Sequence, residues 1–197
     1  MIIGFDIDDT ITDTFGIMFG CAQKYTIEEL KRDAKVDFSK DYSNHNYIQR
    51  MHNWSEKETD DFFSKYYKKI IDETRPFPFA VEIINKLKEE GNKIVLISVR
   101  WDFNNYNMRK LTEEWLEANN IKYDKLEIGI SDKKKVALEN NLDIFVDDSF
   151  ENCKAVSSCG IKTYIMDSRC NKNLEDSKVE RIFSWPNLDH ELRKEIK

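Results

Sequence analysis

No two of the four cysteines, Cys21, Cys153, Cys159 and Cys170, form a Cys-x-x-Cys pair, and the three histidines, His45, His52 and His190, lack metal-ligand spacing. A zinc or disulfide framework is therefore not expected, and reduced thiols in a cytoplasmic protein are. Long apolar runs are also missing. Those present are strand-length, such as Ile94–Ile97, and the N-terminus meets Asp6 before a signal-type apolar core forms, so neither a membrane span nor a leader is expected. Positive charge is not in excess either: 31 Lys and Arg face 37 Asp and Glu, a net charge of −6 that argues against an electrostatic grip on long nucleic acid. An anionic substrate would need locally placed cations. Repeats and low-complexity tracts are absent, and with 40% hydrophobic and 35% charged residues the chain is too apolar and too varied for disorder. Its 197 residues suit one domain with a sizeable core, or one domain carrying a small insertion.

What is present starts at the N-terminus. Met1 to Phe5 reads as a short buried strand that runs into Asp6-Ile7-Asp8-Asp9-Thr10. Side chains alternate along a strand, so Asp6 and Asp8 point the same way as it ends. The pattern then turns helical at Phe15, Met18, Phe19 and Ala22; Thr26-Ile27-Glu28-Glu29 reads as a further helix start, and Ser55-Glu56-Lys57-Glu58 as a capping box opening a helix to about Asp72. Val36 to Asn53 shows no clear period and reads as loop. After Arg75-Pro76-Phe77-Pro78, helix and strand alternate to about residue 166, with strands at Lys93–Ser98, Leu126–Ile130, Asp143–Val146 and Lys162–Met166. The expectation is an α/β fold with a Rossmann-like parallel sheet. Residues 1–12 and 76–197 form its catalytic core, and residues 13–75 a small helical cap inserted after the first strand.

In open parallel sheets ligands bind beyond the carboxyl ends of the strands. The chemically suspicious residues sit there: Asp6 and Asp8 after strand 1, Ser98 and Arg100 at strand 2, Lys133 after strand 3, Asp147 and Asp148 at strand 4. A carboxylate is a competent nucleophile toward phosphorus once the repulsion between anions is cancelled, and Mg²⁺, which prefers a few carboxylates plus phosphate and water oxygens, suits that task. Asp6 is thus the expected nucleophile, Asp6 and Asp147 the expected metal ligands, and Asp8 the acid/base if its surroundings raise its pKa. Ser98 offers a hydroxyl to a phosphoryl oxygen. One of Lys133-Lys134-Lys135 offers a positive charge near a helix start, where the backbone also favours anions. Arg100 and Trp101 could touch a phosphate or base.

Asp6-Ile7-Asp8-Asp9-Thr10, Ser98, Lys133 and Asp147-Asp148 together resemble the four motifs of the haloacid dehalogenase-like superfamily. The resemblance implies that Asp6 is the nucleophile, that Asp8 is the acid/base and lends its backbone carbonyl to Mg²⁺, and that an acidic residue of the last motif completes the site. It also selects Lys133 among the three lysines. Pro76-Phe77-Pro78, Leu96 to Arg100, Thr112 to Leu116, Ile121 to Leu126, Asp143 to Asp148 and Ser184-Trp185 are similar to the bacterial branch of the 5′(3′)-deoxyribonucleotidase family, with Ser98 where that family usually has Thr. This implies a phosphatase acting on small phosphorylated metabolites, nucleoside monophosphates in particular.

The insertion carries aromatic candidates for stacking a base: Phe15, Phe19, Tyr42, Tyr47, Trp54, Phe62, Phe63 and Tyr66. Helical spacing assigns Phe62, Phe63 and Tyr66 to packing and leaves Phe15 and Phe19 as the better ligand contacts, with Asn44, His45 or Arg100 placed to read a base edge. The rival readings are a phosphatase of sugar phosphates or oligonucleotide ends, a phosphomutase, and a non-enzymatic binder on the same scaffold.

Overall fold

The structure is a computed structural model that describes residues 1–38, 47–103 and 106–196. In chain order the elements are β1 (Ile2–Phe5), α1 (Thr14–Glu28), α2 (Tyr47–His52), α3 (Glu56–Glu73), α4 (Ala80–Glu89), β2 (Lys93–Ser98), α5 (Met108–Ala118), β3 (Lys125–Ile128), α6 (Lys133–Glu139), β4 (Ile144–Asp147), α7 (Phe150–Ser157), β5 (Lys162–Met166), β6 (Val179–Ile182) and α8 (Trp185–Glu195). The six strands form one parallel sheet in the order β3-β2-β1-β4-β5-β6. Connections leave β1 toward β2 on one side and reach β4 on the other, so the topological switch lies between β1 and β4.

Helices cover both faces, which explains why the strands read as unbroken apolar runs. Along β2, Ile94 and Leu96 join Ile84, Leu116 and Leu188 from α4, α5 and α8, whereas Val95 and Ile97 join Val136, Ala137 and Val156 from α6 and α7. α1, α2 and α3 build a separate cluster around Tyr25, Trp54 and Phe62. Of α3's residues, Phe62 and Ile70 pack into that cluster, while Tyr67 and Ile71 belong to the cluster beneath the sheet. Its N-terminus carries the expected capping box, Ser55 with Glu58.

Three local expectations change. Thr26 starts no helix; its hydroxyl bonds back to the Ala22 carbonyl within α1, which runs unbroken through it. The 36–53 stretch contains α2, whose Ile48 and Met51 are buried against α1 and α3, contacts that local periodicity cannot report. Beyond residue 166 the chain adds β6 and α8. The β6 segment Val-Glu-Arg-Ile is half polar because it lies at the sheet edge.

Candidate active site

The loop after β1 is held in shape by its own carbonyls and by distant residues. Ile7 O accepts from Ile11 N, Thr12 N and the Thr12 hydroxyl, and Asp9 turns the chain in the left-handed region (φ 60°) with its carboxylate accepting from Phe15 N at 2.7 Å. The indole of Trp185, packed on Phe5 with ring centroids 5.4 Å apart, donates to Thr10 O at 3.1 Å. Thr12 pairs with Pro76, and Phe77 N bonds Ile11 O, so the two chain segments that lead into and out of the helical insertion run side by side below it.

Ladder bonding continues past β1 through Asp6 N to Val146 O, which sets Asp6 beside Asp147 across the switch point. The β3-α6-β4 crossover brings Lys133 to the same place. Its ammonium bonds Asp6 Oδ1 and, at 2.8 Å, Asp147 Oδ2, all three side chains being almost fully buried. Burial alone would neutralise this lysine, but Asp147 and Asp6 more than compensate and raise its pKa, so it stays charged. Asp6 is pulled in opposite directions: burial raises its pKa and Lys133 lowers it, with Asp147 and Asp8 adding to the rise, so that the carboxyl lies above its ordinary value. Its Oδ2 receives no hydrogen bond from the described residues, and Asp6 lines the cavity described below.

Lys134 and Lys135 are exposed, reaching Ser158 and Glu139, so the side-chain directions settle which of the three lysines faces the carboxylates. Lys133→Ala is therefore expected to reduce activity far more than Lys134→Ala or Lys135→Ala, read as kcat/KM for phosphate release. At the N-terminus of α6, Asp132 caps the helix by accepting from Lys135 N.

Asp147 and Asp148 divide their work. Asp147 accepts three hydrogen bonds, from Ser149 N on Oδ1 and from Lys133 and the Asn152 amide on Oδ2. No described group donates to the Asp148 carboxylate, whose pKa burial and the neighbouring Asp9 and Asp147 push well above the usual range. Asp6, Asp147 and Asp148 offer oxygens that lie within 4.8 Å of one another. This all-oxygen donor set fits a small hard cation such as Mg²⁺; Asp148 accepts no hydrogen bond from a described group, and Asp147 keeps acceptor capacity on Oδ1. Asn171 holds that segment in place by donating to both Asp148 O and Met166 O. Nothing in the local sequence marked Asn171, Asn152 or Thr14 as part of the site.

Asp8 departs from expectation. Arg100 grips it with both edges, Nε to Oδ2 at 2.8 Å and Nη2 to Oδ1 at 2.7 Å, and Thr14 donates to Oδ1 at 2.7 Å. Burial would raise the Asp8 pKa, but the Arg100 charge and these hydrogen bonds outweigh it and hold the carboxyl below its ordinary value. Arg100, 3% exposed and braced by Thr112, pairs with Asp8 and is also among the residues that line the cavity, where the sequence suggested a contact to phosphate or base. Ser98 is buried at the end of β2; its oxygen accepts from Arg100 N, which leaves its O–H free to donate.

Above these residues lies a cavity of about 360 Å³. Asp6, Asp8, Ser98, Lys133, Asp147 and Asp148 line its floor, and α1, α2 and α3 supply its walls through Met18, Tyr47, Ile48, Gln49, Phe63 and Tyr67. Among the aromatic candidates, Tyr47 and Phe63 line it. Phe62, Trp54 and Tyr66 are taken up in packing. Phe15 stacks on Phe19 and turns away toward Arg169 on the β5–β6 loop, 5.8 Å from its ring. Tyr42, Asn44 and His45 lie outside the described residues.

Among the described residues no helix is long and apolar enough to cross a membrane. Comparison with known proteins bears on the whole chain. Relatives include a nucleotidase of Clostridium acetobutylicum, 27% identical over 93% of this chain and 88% of that protein, and a protein of Chlorobaculum tepidum provisionally named a 5′(3′)-deoxyribonucleotidase, 23% identical over 95% and 88%. Two solved structures share the fold: a haloacid dehalogenase-like hydrolase of Streptococcus pneumoniae (TM-score 0.65, 13% identity, covering 100% of this chain and 98% of that one), and a provisionally assigned phosphatase of Clostridium acetobutylicum (TM-score 0.68, 14%, 98% of each). The model of the family described as 5′ nucleotidase, deoxy (pyrimidine), cytosolic type C matches residues 1–194. With that model spanning nearly all of it, the chain belongs to this 5′ nucleotidase family, enzymes of phosphoric monoesters, and it shares its fold with haloacid dehalogenase-like hydrolases.

Proposed function

We propose that this protein hydrolyses nucleoside monophosphates, deoxy over ribo, through an aspartyl-phosphate at Asp6, with Mg²⁺ as cofactor. The observation that carries the reading is the floor of the cavity, where a carboxylate with one free oxygen (Asp6), a hydroxyl donor (Ser98) and a buried ammonium (Lys133) converge beneath a helical roof. The phosphate sits against Ser98 and Lys133, which orient it and offset its charge. Asp6 Oδ2 attacks phosphorus, the ester P–O bond breaks, and Asp8 gives its proton to the leaving oxygen. Asp8 then takes a proton from water, whose oxygen attacks the acyl phosphate and releases inorganic phosphate and free Asp6. Arg100 keeps Asp8 ionised before substrate arrives, which suits the second step. The substrate's own negative charge opposes Arg100 and favours the protonated form that the first step needs. Asp6, Asp148 and the Asp8 carbonyl would hold Mg²⁺, which when bound neutralises phosphate charge.

A phosphate-release panel across deoxy- and ribonucleotides, sugar phosphates and 3′-phosphorylated oligonucleotides tests the reading. Nucleoside monophosphates are expected to lead in kcat/KM. Sugar phosphates exceeding every nucleotide by about tenfold or more would overturn the substrate assignment and leave the phosphatase intact. In the same assay a chelator is expected to abolish turnover and Mg²⁺ to restore it, with Asp148→Asn raising the Mg²⁺ requirement more than Asp147→Asn. A larger shift for Asp147→Asn would return the ligand role to Asp147.

A further inference from the structure

The cavity wall formed by α3 has a repeat. Thr59, Phe63, Tyr67 and Ile71 follow one another at four-residue spacing and all line the cavity, so a single helix face looks down on the carboxylates. Tyr67 is the polar group in the deep half of that face. It is 8% exposed, yet no hydrogen bond to its hydroxyl comes from any described residue. Other phenols of the insertion behave differently: Tyr25 gives its hydroxyl to Asp61 at 2.8 Å and Tyr66 to Glu29 at 3.1 Å. A phenylalanine at 67 would fill the same volume without leaving a polar atom unpaired.

The hydroxyl stands in the field of Asp8 and Arg100. Burial and the Asp8 charge push the phenol upward in pKa, so it keeps its proton and can both donate and accept. Asp8 is the group assigned above to the leaving oxygen, so whatever lies beside Asp8 meets the first atoms of the leaving group. Phe63 and Ile71, one helical turn to either side, present only carbon.

The geometry points to Tyr67 as the residue that selects the leaving group: its hydroxyl, in the cavity wall near Asp8 and Arg100 and without a partner among the described residues, hydrogen-bonds a sugar hydroxyl carried close to the scissile ester. This rests on the phosphatase reading of the same site and adds what that site recognises. An alcohol matches a phenol that both donates and accepts, and the apolar residues on either side exclude a second strongly polar contact.

The test measures kcat/KM with Mg²⁺ for a 2′-deoxynucleoside 5′-monophosphate, the matching 2′,3′-dideoxynucleoside 5′-monophosphate and p-nitrophenyl phosphate, in wild type, Tyr67→Phe and Tyr66→Phe. In Tyr67→Phe the ratio of deoxynucleotide to aryl phosphate is expected to fall about tenfold, the worth of one well-made hydrogen bond. The dideoxynucleotide ratio should hold, and Tyr66→Phe should leave both ratios unchanged. An unchanged deoxynucleotide ratio in Tyr67→Phe, or an equal fall for the dideoxynucleotide, overturns the inference while leaving the phosphatase reading in place. A wild type that hydrolyses the aryl phosphate but no nucleotide instead removes the nucleotide reading on which the inference stands.

Discussion

Asp6→Asn is expected to lower kcat by on the order of 10⁴-fold or more, because an amide is a poor nucleophile and the neighbouring carboxylates have other partners or other tasks. Asp8 has both oxygens engaged by Arg100, Asp147 accepts from Ser149, Lys133 and Asn152, and Asp148 is assigned above to the metal. The fold should survive. Asn keeps the volume of Asp and retains an oxygen for the Lys133 ammonium, and removing one charge from a cluster of buried carboxylates relieves repulsion. Circular dichroism and a melting curve check the fold, and phosphate release checks the chemistry. Retention of more than a tenth of wild-type kcat would sink the covalent mechanism.

Arg100→Met should cost nearly as much as Asp8→Asn, about 10²–10⁴-fold in kcat, the usual worth of a positioned acid/base. The reason is geometric. Asp8 projects from a loop, and its carboxylate is fixed by the two-pronged grip of Arg100 with Thr14 on the other flank. Arg100→Lys should rescue little, since a single ammonium cannot reproduce the planar fork. Because both residues act through one carboxylate, the double variant should be no slower than Asp8→Asn alone, a non-additivity read directly from the mutant cycle. If Arg100→Met instead raises KM and leaves kcat within about threefold, the guanidinium contacts substrate and the positioning role is wrong.

The chemistry was legible at the ends of the strands. Apolar runs at Ile2–Phe5, Lys93–Ser98 and Ile144–Asp147 stop where the carboxylates and the hydroxyl begin, and a parallel sheet brings such ends together whatever its detailed order. A charged group at the end of a buried strand is visible in one dimension because burial and polarity conflict there. The edge strand β6 left no such trace, its alternation being too short and too polar, and α2 lacks a stripe long enough to show a period. Among the cap aromatics, Phe62 and Tyr66 pack as their helical spacing predicts, but that spacing, which puts all three on helix α3, does not show that Phe63 also looks into the cavity.

By itself the sequence determined the class of chemistry and the floor of the site: oxygen donors without paired cysteines or spaced histidines, Asp6 and Asp8 in one strand exit, and a helical insertion directly behind them. These are properties of residue type and of periods two and 3.6, which act over a few residues. Only the tertiary structure decided the pairings. Arg100 reaches Asp8 across 92 positions, Trp185 bonds the Thr10 carbonyl across 175, and Lys133 rather than Lys134 turns inward because the β3-α6-β4 crossover presents one helix face to the switch point. Likewise Lys133 and Asn152 reach Asp147 Oδ2 from two different helices, whereas no described group donates to the Asp148 carboxylate. Such contacts depend on strand order and side-chain direction, which no local pattern encodes, and they convert a set of suitable residues into a site with assigned roles.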